Sequence, residues 1–61
     1  MIKLGQMRYD ERNGRYIEPD GTGCDPKCYS CLVYETTETG DLRLDGRYLF
    51  MEHELLRFKE I

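Results

Sequence analysis

The chain has no tryptophan, two prolines, one histidine and only three cysteines, all in one short cluster, and these shortages remove many options. No apolar run approaches the ~18 residues that a membrane-spanning helix needs. The opening Met1-Ile2-Lys3-Leu4-Gly5-Gln6 lacks the apolar core of a secretory signal, so a cytoplasmic protein is expected. The odd cysteine count fits that setting, since one thiol would be left unpaired in an oxidising compartment. Nine basic residues are scattered against twelve acidic ones, for a net charge of -3. Without a basic patch, nucleic-acid binding loses its main electrostatic contribution. Ser30 has no general base near it in sequence, the carboxylates form no paired motif, and no glycine pattern suits a phosphate. A noncatalytic protein is expected.

Sixty-one residues make a single small domain, residues 1–61. A chain this short buries only about 60% of the surface that its unfolded form exposes, so its core must be thin. Small scaffolds commonly add a metal, disulfides or a partner subunit to compensate. The composition is nevertheless that of a folding chain: 39% hydrophobic and 34% charged, with five tyrosines and two phenylalanines as large apolar bodies.

Turn signals come at short intervals and leave room for strands or very short helices. A strand within residues 2–9 is followed by Asn13-Gly14, a pair suited to a tight hairpin, and by a returning strand over residues 15–18, where Tyr16 can pair with Met7 or Tyr9. Residues 19–27 carry Pro19, Gly21, Gly23 and Pro26 and are expected to be a loop, the segment most apt to carry function. The run Cys28-Tyr29-Ser30-Cys31-Leu32-Val33-Tyr34-Glu35 is the strongest strand, apolar on both faces and expected at the centre of the sheet. Asp45-Gly46 signals a second tight hairpin between Leu42-Arg43-Leu44 and Arg47-Tyr48-Leu49-Phe50-Met51. Residues 48–59 are ambiguous. Tyr48, Met51, Leu55 and Phe58 recur at helical spacing, whereas the aromatic content of residues 48–51 suits a strand, followed by a helical turn over residues 52–55 and a last short strand. The strand version is preferred. The fold class is then mostly β, a small, partly open, SH3-like antiparallel barrel of five or six short strands.

Cys24, Cys28 and Cys31 fall within eight residues. Their spacing, with Tyr29 inside the second interval, looks like the cluster motif of the radical S-adenosylmethionine enzymes, but that chemistry needs a barrel of ~200 residues or more. A bare iron–sulfur cluster lacks its fourth cysteine. A structural zinc fits the arithmetic better, with His53 as fourth ligand to the three thiolates and the two halves of the chain stapled together. The competing reading is structural: Cys31 shares a strand face with Val33 and serves as a small buried hydrophobe, while His53 is solvated between Glu52 and Glu54. A redox pair of Cys28 and Cys31 would need a helix N-terminus to lower the thiol pKa, and none is visible.

The segment Gly5-Gln6-Met7-Arg8-Tyr9-Asp10-Glu11-Arg12-Asn13-Gly14-Arg15-Tyr16, with Gly46-Arg47-Tyr48-Leu49 further on, resembles a group of short bacterial proteins of SH3-like build, often carried near mobile elements. That resemblance implies the barrel and a bacterial or phage setting, and no activity. The tyrosines exceed what a thin core can hide, so Tyr16, Tyr29, Tyr34 and Tyr48 are the candidate partner-binding residues. The expected function is a noncatalytic protein-interaction module, with a protein partner or a second copy as its target and no role for nucleic acid or membrane. The alternatives are a phage or mobile-element inhibitor of the anti-CRISPR kind, acting through an acidic surface, and a thiolate metal or redox protein.

Overall fold

The computed structural model describes residues 2–23 and 26–61. Five strands, β1 (Arg8–Asp10), β2 (Arg15–Thr22), β3 (Cys28–Thr36), β4 (Leu42–Met51) and β5 (Lys59–Glu60), form one antiparallel sheet in the order β4-β3-β2-β1-β5. One helical turn, α1 (Glu52–Leu55), carries the chain from the β4 edge to the opposite edge. β4 and β5 are not paired with each other, so the sheet stays open.

The first hairpin turns on Asp10 rather than on an Asn-Gly pair. Asp10 pairs with Arg15, which leaves residues 11–14 as the loop. Gly14 takes a φ of 64°, no non-glycine residue among the described residues has a positive φ, and Asn13 therefore does not enter the two-residue turn expected for it. Asp10 closes the loop instead: its carboxylate accepts from the backbone N–H of Arg12 (3.1 Å) and Asn13 (3.4 Å) and from Asn13 Nδ2 (2.8 Å).

Two bulges correct the reading of the turns. β2 does not stop at Glu18 but runs to Thr22, because the register steps from Pro19 opposite Cys31 to Gly21 opposite Ser30 and leaves Asp20 as an extra residue. A bulge is one of the few sheet positions that tolerate proline, so Pro19 and Gly21 mark an irregular strand here rather than a loop. Likewise β4 passes straight through Asp45-Gly46, with Val33 opposite Gly46, Tyr34 opposite Leu44, and Asp45 as the extra residue. The neighbouring β3 pairs along the whole of β4, and that long template overrides the local turn signal.

Residues 48–59 adopt the strand–turn–strand course. β4 continues to Met51, Glu54 Oε1 accepts from the Met51 N–H at 2.9 Å to start α1, and β5 pairs with β1. Leu55 of α1, fully buried, closes over the sheet with Ile2. Between them and the sheet lies the core: Ile17 of β2, and Tyr29, Cys31 and Val33 of β3; Phe50 and Phe58 pack against it and meet each other edge to face at 5.9 Å between ring centroids. β3 is interior to the sheet, next to the edge strand, and β2 rather than β3 is the middle strand.

Arg8 is buried on this same core face. Its Nη1 donates to Leu55 O and its Nη2 to Glu60 Oε1, each at 3.2 Å, so one guanidinium fastens α1 and β5 to β1. Among the described residues no helix is long and apolar enough to cross a membrane.

Candidate interaction surface

Cross-strand partners share a face, so the register assigns every side chain of the outer, solvent-facing side of the sheet. One row crosses the whole sheet: Lys59 of β5, Tyr9 of β1, Tyr16 of β2, Tyr34 of β3 and Leu44 of β4. The Tyr9 and Tyr16 rings pack at 4.8 Å between centroids, tilted by 46°. The next row is Glu18, Leu32 and Arg47. The three tyrosines and Leu32 are half-buried.

β4 extends this face. Leu42, opposite Thr36, and Leu44, opposite Tyr34, precede the Asp45 bulge; Leu49, opposite Ser30, and Met51, opposite Cys28, follow it. In a regular strand the even-numbered pair and the odd-numbered pair would point to opposite sides. The extra residue shifts the pleat by one and gathers all four on the outer face. Leu42, Leu44 and Leu49 are 47%, 56% and 62% exposed, which leaves a row of uncovered leucines on the edge strand of a chain with a small core.

Salt bridges frame the apolar patch. Arg47 Nη1 donates to both oxygens of Asp20 (2.6 and 2.8 Å) and to Ser30 Oγ (2.9 Å), tying the β2 bulge across β3 to β4. Arg43 pairs with Glu35 at 3.3 Å. Tyr48 is exposed on the other face of β4, where its hydroxyl donates to Asp45 Oδ2 at 3.0 Å; that hydrogen bond and the carboxylate charge raise its pKa. The Tyr48 ring lies over Gly46, where a Cβ would stand 3.4 Å from Tyr48 Cε2, close to ordinary van der Waals contact.

The residues singled out in the sequence divide accordingly. Tyr16 and Tyr34 are brought together in one row, Tyr48 lies on the far face of the edge strand, and Tyr29, 8% exposed, belongs to the core and presents no binding surface. Tyr9, Leu42, Leu44 and Leu49 complete the patch and were not anticipated; alternation in Leu42-Arg43-Leu44 marked a strand, but nothing local says that the strand is an edge with its leucines uncovered.

Of the proposed metal ligands, Cys24 lies outside the described residues. Cys28 is half-buried, with its backbone beside Met51; His53, on α1, is exposed; and Cys31 is fully buried, its thiol donating to Tyr29 O at 3.6 Å. Burial, with smaller contributions from the charges of Asp20 and Cys28, pushes the Cys31 thiol up to about 11. Among the described residues no three His, Cys, Asp or Glu side chains converge on a common point.

No protein-family model, no curated protein and no solved structure matches this chain.

Proposed function

We propose that this protein is a noncatalytic interaction module, a small SH3-like barrel left open at one side, that docks a second copy of itself along β4 and the adjoining outer face. The supporting observation is the concentration of exposed leucines on one edge strand. Long apolar edges are normally blunted by lysine, proline or cover, and contiguous exposed apolar surface marks interaction sites. Among the described residues, the outer edge of β4 pairs with no strand and α1 packs beyond its end.

A two-fold axis lets one surface complement itself, so a single edge suffices for a closed dimer. Laid outer face to outer face with β4 antiparallel, two copies bring Leu44 of one towards Leu49 of the other and Leu42 towards Met51. A stable dimer covers about 800 Å² per subunit, roughly a fifth of the 4362 Å² exposed here, which is more than a strand edge alone provides. The tyrosine row adjoining Leu44 supplies the remainder. The SH3-like assignment draws its support from the meander of β1 to β4 followed by a helical turn and a short strand returning to β1. The reading needs no metal, because Cys31 serves the core as a small apolar side chain.

Sedimentation velocity across a concentration series tests the proposal. The expected result is a dimer that Leu49→Lys converts to monomer with unchanged circular dichroism. A wild-type protein that remains monomeric at roughly 100 μM, a concentration far above the dissociation constants typical of stable interfaces, would overturn it.

A further inference from the structure

Towards the β1–β5 edge of the sheet, a cleft of about 460 Å³ opens between the β1–β2 turn and the segment joining α1 to β5. That volume falls in the ~300–1,000 Å³ range of small-molecule sites. Its apolar wall is the edge-to-face pair Phe50 and Phe58.

Four cationic side chains, Arg12, Arg15, Arg57 and Lys59, and three anionic ones, Asp10, Glu11 and Glu54, line it, which leaves the cleft at +1 in a chain of net charge -3. Its anions are already engaged. Asp10 is occupied by the turn it closes, Glu11 is ion-paired with Lys59, and Glu54 accepts from the Met51 N–H. The cations are not all engaged. Arg12 and Arg57 have no side-chain ion pair among the described residues. Arg15 reaches Asp10 only at 3.5 Å, and its buried Nε has no hydrogen-bond partner. A half-buried guanidinium held so loosely has donor capacity in hand, and two further arginines stand at the rim.

We propose that this cleft binds a small organic oxyanion, a carboxylate or phosphate carried on an apolar ring, with the ring against Phe50 and Phe58 and the anion among Arg12, Arg15 and Arg57. Guanidinium forks match both oxyanions, and charge-assisted hydrogen bonds of this kind are stronger than neutral ones. Ring and anion must act together. Inorganic phosphate alone gains no apolar contact, and an uncharged ring leaves the arginines solvated. The cleft shares Tyr9 and Lys59 with the end of the outer row but none of the β4 leucines, so Leu49→Lys, which tests the dimer, leaves its lining unchanged.

Amide chemical-shift titration with benzoate, phenyl phosphate and inorganic phosphate at low salt tests this. The expected result is saturable shifts at Asn13, Arg15, Phe58 and Lys59 with the two aromatic anions, weaker ones with inorganic phosphate, and loss of affinity on adding salt. The stronger of the two aromatic probes identifies the preferred anion. Arg57→Gln, an exposed substitution that leaves the fold intact, is expected to weaken binding about tenfold, as is Arg12→Gln. Absence of saturable shifts with either aromatic anion up to about 10 mM, a limit weaker than any useful small-ligand affinity, would overturn the proposal. Wild-type affinity in a protein carrying both Arg12→Gln and Arg57→Gln would do so as well.

Discussion

Leu44 and Leu49 lie on the same face of β4 although they stand an odd number of residues apart, because Asp45 between them is the extra residue of a bulge. A regular strand would place one in the core face and the other in solvent. One inserted residue thereby turns two short apolar runs into a single continuous stripe. Deleting Asp45 should therefore re-phase the first half of β4, exchanging Leu42 and Leu44 with Arg43. The expected outcome is weaker self-association by sedimentation and altered amide exchange in the β3–β4 pair; an unaltered dimer would show that the leucine stripe is not the contact.

Cys31 should behave as a core residue. Replacing it with serine buries a hydroxyl among Ile17, Val33 and Leu55 and is expected to cost about 1–3 kcal/mol. Cys28→Ser, at a half-buried position, should change stability by less than about 1 kcal/mol. Urea unfolding of both variants, with and without added zinc, makes the comparison. Equal, zinc-dependent losses in the two would instead reveal a metal staple.

The Asp10 carboxyl carries an acid-stability prediction. Burial raises its pKa, but the hydrogen bonds from Asn13 and the contact with Arg15 together outweigh burial and hold it below its usual value of 3.8. A group depressed in the folded state stabilises fully above its unfolded pKa, and that contribution is lost as pH falls through the folded value. The melting temperature should fall as pH drops below about 4. Asp10→Asn should be less stable near neutrality and show a flatter acid limb; an acid limb as steep as wild type would remove Asp10 as its cause.

Arg8 is expected to hold the two ends of the chain together. Arg8→Met keeps much of the apolar stem but leaves Leu55 O with the Phe58 N–H alone and Glu60 without its partner. The expected cost is about 2 kcal/mol, in the range for losing hydrogen bonds made by a charged group, with amide protection lost first in β5 and α1. Uniform loss of protection across the sheet would mean that Arg8 supports the whole core instead.

The strand content, the helical turn over residues 52–55 and the interior place of β3 were legible because each rests on local pattern: β-branched and aromatic residues in one run, helix formers in another. The bulges at Asp20 and Asp45 were not. In both places a turn-type residue pair sits opposite a long, well-paired partner strand, and the pairing energy of the neighbour decides the outcome. Tyr29 was misplaced among the surface tyrosines for a related reason. Five tyrosines look alike in composition, and only strand register separates the one facing Leu55 and Cys31 from those in the outer row.

By itself the amino-acid order determined that this is a β-rich chain of net charge -3, with more aromatic and aliphatic surface than a thin core can hide. Which of those side chains stay uncovered was decided by tertiary structure alone. Facing is set by register, register by the neighbouring strand, and edge position by the order in which strands pair; none of these long-range relations is encoded in any short stretch of sequence.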